Sequence, residues 1–325
     1  MSDNTTTRPD DTSCAYTYTV KRGDSFYLIA RRLGVPLRDL MNANPDIHPA
    51  RLMVGDELCI PSCAEREDDM ERNPGMLEKF YQAMREGAIP QTSQINTERY
   101  IDFFTEQLKH GDVLHIAFGS GMSASVNNAM NAARELDGKI DGHRMMVVDS
   151  LCSCGGYGLL VDLVADLRDQ GMGIEEAADW AVKNCGRIHH QFFSTDLTYF
   201  RRSGRMSGAT ATIATILNIC PIMRLNDEGR IIAYDKVRGR ANAVKETIRV
   251  MRNHVQDGVN YSGKCLICHS DDPVDGERAR AEICAEFPKA DVHLLKIGTI
   301  IGAHCGPGTV AVFFLGDQRT HEDPK

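Results

Sequence analysis

From Met76 to about residue 317, short apolar runs recur at intervals that leave room for a helix between neighbours, and this alternation restricts the fold more than any other feature of the chain. The runs are VLHIAF (113–118), MMVVD (145–149), CLICH (265–269), VHLLKIG (292–298) and VAVFFLG (310–316). They are nearly continuous in apolar residues, as strands covered on both faces are, and strands alternating with helices make an α/β region. PIMRLNDEGRIIAYDKVR (221–238) differs, because two alternating runs flank Asn226-Asp227-Glu228-Gly229 and predict a β-hairpin. Two lobes are expected, residues 76–190 and 191–318, followed by a tail at 319–325. His189-His190 reads as a helix end.

A smaller unit precedes this region. YTYTV (16–20) alternates as a strand and KRGDS (21–25) turns the chain. FYLIARRLG (26–34) has the spacing of an amphipathic helix, PLRDLMNANP (36–45) that of a second short one, and ELCIP (57–61) closes the unit as a strand. Residues 16–62 are thus expected to form a small β-α-α-β domain. Residues 1–15, polar and rich in Thr and Asp, read as a disordered leader, and CAEREDDMERNPG (63–75) as a charged linker.

Bulk properties narrow the function. A formal net charge of −8 and the absence of a long Lys/Arg tract argue against a nucleic-acid surface or a polybasic membrane patch. No apolar run approaches a membrane span and the N-terminus lacks the apolar core of a secretory signal, so the expected location is the cytoplasm. Eleven cysteines, mostly within apolar runs, read as buried thiols rather than a disulfide framework. Cys152 and Cys154 open a helix after a strand, which leaves a redox role open. Cys265-Leu266-Ile267-Cys268-His269 has the form of a haem attachment site but sits in a strand-like run and is discounted. No His/Cys spacing suits zinc, and neither a metal nor a cofactor is expected.

Tyr18-Thr19-Val20, Gly23-Asp24-Ser25, Ile29-Ala30, Asn42-x-Asn44-Pro45, Val54-Gly55-Asp56 and Ile60-Pro61 together resemble a LysM (lysin motif) domain. The resemblance implies binding of N-acetylglucosamine polymers, peptidoglycan or chitin-like glycan, in a groove between two loops. Those loops here hold Gly23, Asp24, Ser25 and Asn44, Pro45, Asp46, Ile47. Asp24 also stands where a helix N-cap belongs, and capping is the favoured reading of its carboxylate. A sugar-binding role without an export signal admits a spore-coat or cell-wall location as the alternative.

Seven stretches in consistent order resemble the DegV family of fatty-acid-binding proteins: PQTSQ (90–94), GSGMSASVNNA (119–129), VVDS (147–150), TDLTYFRRSGRMS (195–207), LNICPIM (217–223), GRIIAYDKVRGR (229–240) and HCGPG (304–308). The resemblance implies a two-lobed α/β protein holding a long-chain fatty acid between its lobes. Thr92 and Ser123 would contact the carboxylate, with Ser93 and Ser125 beside them and His304 lining the head-group region. Hydroxyls at the start of a helix suit an anion on their own chemistry, although Ser123 and Ser125 also suit helix capping. Arg205 and Arg238 match arginines that dock a partner fatty acid kinase and its phosphate, and a salt bridge or solvated face is the competing reading for Arg238. The chain departs from the family in having Ser123-Ala124-Ser125 for Ser-Gly-Thr and Ser203-Gly204-Arg205 for Gly-Gly-Arg. It also has the LysM-like unit where the family has an opening strand. The expected function is a non-enzymatic lipid carrier. The alternatives are a wall- or spore-associated scaffold with an empty pocket, and a serine hydrolase built from Ser123, His304 and Asp149, for which no G-x-S-x-G elbow is present.

Overall fold

The structure is a computed structural model that describes residues 14–21, 23–33, 35, 40–41, 43–48, 51–61, 75–206 and 218–321. Most of the expected leader, linker and second short helix lies outside these residues. The chain divides into two compact units, Met1–Arg72 and Asn73–Lys325.

In the first unit, strand β1 (Cys14–Thr19) pairs antiparallel with β2 (Glu57–Pro61), and helix α1 (Phe26–Leu33) lies between them in sequence. Phe26, Ile29 and Ala30 recur at helical spacing and bury one face of α1 with Val20, Leu58 and Ile60. Cys59 of β2 is disulfide-bonded. Asp24 corrects the sequence reading. Its carboxylate accepts from the Tyr18 hydroxyl at 2.7 Å and the Lys21 N–H at 2.9 Å and pairs with Arg32. The helix is capped instead by Ser25, whose Oγ accepts from the Leu28 N–H.

The second unit opens with α2 (Met76–Arg85), then α3 (Thr97–Leu108), β3 (Val113–Ala117), α4 (Ser125–Leu136) and β4 (Met145–Asp149). β3 and β4 form a two-stranded parallel sheet. Tyr100, Phe104 and Leu108 of α3 and Ala129, Ala132 and Ala133 of α4 bury a common core against Met145. Helices α5 (Cys154–Asp169) and α6 (Ile174–Asn184) lead into the second layer.

That layer contains β5 (Ile188–Phe193), α7 (Thr198–Arg202), β6 (Ile219–Leu225), β7 (Ile231–Arg238), α8 (Arg240–His254), β8 (Lys264–His269), α9 (Pro273–Glu286), β9 (Asp291–Lys296), α10 (Thr299–Cys305) and β10 (Val310–Leu315). The strands form one sheet in the order β7-β6-β5-β10-β8-β9, with every pair antiparallel except β8 and β9. Alternate residues of the same strand enter opposite cores. Val310, Val312 and Phe314 pack with Val244, Ile248 and Met251 of α8, whereas Ala311 and Phe313 pack with Leu159, Leu160 and Val164 of α5. Burial on both faces is what makes such a run continuous in apolar residues.

β5 corrects the reading of His189-His190 as a helix end. All six of its residues are buried. His190 Nδ1 donates to the Ile188 carbonyl while its Nε2 accepts from the Ser153 N–H, so the buried ring is satisfied at both nitrogens.

The two layers meet backbone to backbone. Any Cβ on Gly121, in the turn after β3, would fall on the Gly229 carbonyl at the tip of the β6–β7 hairpin. Gly229 has φ +72° and would itself place a Cβ 2.8 Å from the Leu151 oxygen, in the turn after β4. Gly121→Ala should therefore destabilise the second unit by about 2–4 kcal/mol. Gly158→Ala, in α5 with open space around it, should be neutral or stabilising by up to about 1 kcal/mol. Urea titration followed by fluorescence of Trp180, the single tryptophan, distinguishes the two; equal midpoints would refute the contact.

Candidate functional site

The chain reaches the site from α2, which is anchored on the second layer. The buried Tyr81 donates to the Ile297 carbonyl at 2.7 Å, and Lys296 pairs with Glu78. Residues 88–96 then run without regular structure toward α3. On the way Thr92 meets His304, with Thr92 Oγ1 and His304 Nε2 2.7 Å apart. His304 lies in the last turn of α10, which ends at Gly306 (φ +70°). Asn128 of α4 fixes the incoming segment by donating to the Ile95 carbonyl at 2.7 Å, and Asn96 caps α3 by accepting from the Arg99 N–H.

The hydroxyls after β3 are arranged around the start of α4. Ser123 Oγ accepts from the Ser125 N–H at 3.2 Å, and Ser125 Oγ lies 3.0 Å from the Tyr100 hydroxyl. Asp149 supports this turn from β4, its Oδ1 accepting from the N–H groups of Ser120 and Leu151, both at 3.0 Å. Arg205 reaches across from the segment after α7 and donates from Nε to the Met122 carbonyl at 3.4 Å. Thr92, Ser93 and the start of α4 are thus brought to the same side of the unit as His304 and Arg205. Ser93 is exposed and carries no hydrogen bond to a described residue.

His304 is half-buried, and burial first, then the Arg205 charge, pushes its pKa below the ordinary value of 6.5. Its Nδ1 is buried without a partner among the described residues. The ring is therefore neutral at neutral pH and offers one open nitrogen. The geometry of a serine hydrolase is not formed: the partner of His304 is Thr92, Ser123 Oγ is engaged by Ser125, and the Asp149 carboxylate is occupied by backbone N–H groups.

The remaining sequence-derived residues fall elsewhere. Lys236 and Arg238 are exposed on the edge strand β7, and Arg238 has no carboxylate partner among the described residues. In the first unit Gly23, Pro45 and Asp46 are exposed and Ile47 is half-buried. Asn44 is buried, its amide donating to the Leu40 and Cys59 carbonyls and accepting from the Cys59 N–H. Among the thiols, burial pushes Cys152 up to about 12, far from a reactive thiolate. A hydrogen bond between Cys154 and Cys268 holds the former low and the latter high. Cys265 and Cys268 are buried within β8, which is no place for haem attachment.

Apolar side chains adjoin the site. Leu114 and Met146 of the small sheet, Met122, Tyr157 and Ile301 pack half-buried against the core shared by the two layers. A surface groove of about 440 Å³ along α2 is lined by Glu78, Lys79, Gln82, Ala83, Arg85, Glu86 and Asp271 and contains none of the hydroxyl cluster. Its lining is charged, unlike a lipid tunnel. No helix among the described residues is long and apolar enough to cross a membrane.

Comparison with known proteins agrees with this architecture. The DegV family, described as uncharacterised proteins, matches residues 67–317. The chain belongs to the DegV family. A LysM domain matches residues 18–61. A DegV domain-containing protein of Clostridium perfringens is 35% identical over 242 residues, 74% of this chain and 82% of the relative. Among solved structures, a DegV family protein from Thermus thermophilus described for its fatty acid binding shares 26% identity with a TM-score of 0.65, covering 74% of this chain and 84% of that one. The fatty acid kinase B3 protein of Streptococcus pneumoniae, loaded with linoleic acid, has a TM-score of 0.66 at 19% identity over the same shares of the two chains and is similar in fold.

Asn128 and Tyr100 were not singled out by sequence. Asn128 lies within GSGMSASVNNA, one helical turn after Ser125, but its partners Ile95 and Thr97 are distant in sequence and no local spacing marks it. The depressed pKa of His304 carries a signed expectation. A histidine with a folded pKa below its unfolded value binds its proton more readily when unfolded, so its stabilising contribution is complete above 6.5 and is lost as pH falls toward the folded value. Titration by NMR should place the His304 midpoint below 6.5, and Arg205→Ala should raise it. A midpoint unmoved by that substitution would separate Arg205 from the site.

Proposed function

We propose that the DegV unit binds a long-chain fatty acid and presents its carboxylate to a partner, a fatty acid kinase. The observation that carries this reading is the Thr92–His304 pair beside the Ser123 and Ser125 hydroxyls at the start of α4. These groups offer hydrogen-bond donors and a helix N-terminus to an anion, and Ser123 and Asp149 are engaged by backbone N–H groups rather than aligned with His304 as a triad. Binding energy would come from the tail: about 14 methylenes at ~0.8 kcal/mol each contribute roughly 11 kcal/mol before ordering costs. The half-buried Leu114, Met122, Met146 and Tyr157 are chemically suited to that tail. Solved DegV structures described with fatty acids support the ligand class, and the Streptococcus pneumoniae protein supports the partner class. Arg205, beside the head group, and Arg238, exposed on β7, are the phosphate and kinase contacts in this reading.

Mass spectrometry of the purified chain should find one co-purified fatty acid per molecule. Thr92→Val with Ser123→Ala removes two hydrogen bonds to a charged group at about 1.5–3 kcal/mol each, so lipid affinity should drop roughly 10²–10⁴-fold while Trp180 fluorescence stays native. Arg238→Ala should keep its lipid and slow phosphorylation by the kinase. Unchanged lipid content in the double variant would remove the site assignment.

The LysM domain supports a second role in glycan binding through the exposed Gly23, Pro45 and Asp46 with Ser25 and Ile47, while Asp24 and Asn44 hold the two loops from within. The carrier role belongs in the cytoplasm, where a kinase finds its nucleotide. Co-sedimentation with insoluble peptidoglycan or chitin, lost on Asp46→Ala with Ile47→Ala, would support the glycan role and a wall or spore-coat location. A chain that stays in the supernatant would reject it.

A further inference from the structure

Three side chains far apart in sequence converge at the end of β10 remote from His304. His189 comes from the start of β5, His254 from the last residue of α8, and Asp317 from just beyond β10. The Asp317 carboxylate lies 2.9 Å from His189 Nε2 and 3.1 Å from His254 Nδ1. The three donor atoms are all within 4.8 Å of one another.

From this geometry we infer that His189, His254 and Asp317 form a binding site for a divalent transition-metal ion of the zinc, cobalt or nickel class. Two imidazoles and one carboxylate are the donor set these ions take, whereas magnesium and calcium prefer all-oxygen sites. Bonds of about 2.0–2.1 Å to a tetrahedral ion put neighbouring donors roughly 3.3 Å apart. The observed His–Asp separations need to widen by only a few tenths of an ångström.

Two of the donors are held where they are by the fold. The His189 ring is held by stacking on Phe314, with centroids 4.9 Å apart, while the more exposed His254 ring, 5.1 Å away and tilted by 28°, has to turn about its side-chain bonds to aim its in-plane lone pair at the same ion. The Asp317 N–H donates to the His254 carbonyl at 2.9 Å, and Gly316 pairs with Val255 in an isolated antiparallel bridge. Backbone hydrogen bonds therefore fix the carboxylate against the end of α8 before any ion arrives. The His189 side chain is 6% exposed, but His254 and Asp317 are 39% and 58% exposed, which leaves one side open for entry and for a water as fourth ligand. The site is distinct from the lipid head-group region, because His304 precedes β10 and Asp317 follows it, and the six-residue strand between them spans roughly 20 Å. A bound ion would clasp β5, α8 and the segment after β10 together.

The test uses the untagged full-length chain, stripped with a chelator and titrated with cobalt(II) and with zinc(II). One equivalent of cobalt(II) should bind with the visible absorption of a four-coordinate nitrogen–oxygen site, and zinc(II) should displace it and raise Tm. His254→Ala and Asp317→Asn should each weaken cobalt(II) binding at least tenfold and abolish the Tm rise, while metal-free Tm and fatty acid content stay as in the parent. The exposed His254 and the retained acceptors of Asn at 317 keep both variants foldable. Failure of the parent to bind cobalt(II) stoichiometrically, or retention of that binding by both variants, would overturn the proposal.

Discussion

The second unit depends on the contact in which Gly121, Gly229 and Leu151 meet through their backbones. The turn after β3, the turn after β4 and the tip of the β6–β7 hairpin approach so closely that no side chain fits between the first two glycines. Leu151 takes part in a further anchor: its carbonyl accepts from Arg319 Nη2 at 3.0 Å, and the same guanidinium reaches the Cys185 and Gly186 carbonyls. Three loops and the segment after β10 are therefore tied at one place. Because Ser123 follows from one side of this junction and His304 and Arg205 from the other, its geometry sets how these residues face one another.

The proposed head-group region combines groups of different electrostatic character. Thr92, Ser123 and Ser125 are neutral hydroxyls, His304 is held neutral by burial, and Arg205 carries the positive charge. An anion entering such a place meets one charge and several dipoles, which orient it more than they trap it. In the proposed carrier role, affinity would reside in apolar burial, with the polar end deciding which way the ligand lies.

Much of this was legible in the chain. MMVVD is β4 residue for residue, and the hairpin at 221–238 appears as β6 and β7 because its turn chemistry is local. β5 was not legible, since His189, His190 and Gln191 interrupt its apolar character. Their burial is compensated by partners distant in sequence: Asp317 for His189, Ser153 for His190, and the Tyr234 hydroxyl for Gln191. The same limit applies to the sites. Hydroxyls clustered in short motifs were visible, whereas Asn128 acquires its meaning only when residue 95 is laid against α4, and the histidine pair only when β5 and α8 are packed. Asp24 shows the converse error, a residue with local capping chemistry drawn away by Tyr18 and Arg32.

Strand order has a consequence for how the protein is made. β10 lies between β5 and β8 and follows every other strand of the sheet in sequence. The β5–β6–β7 group and the β8–β9 pair are thus two half-sheets joined only through β10, and each turns toward that strand an edge that would be unpaired without it. They become one sheet only when Val310–Leu315 lies between them, so closure of this sheet waits for the strand of it that is made last.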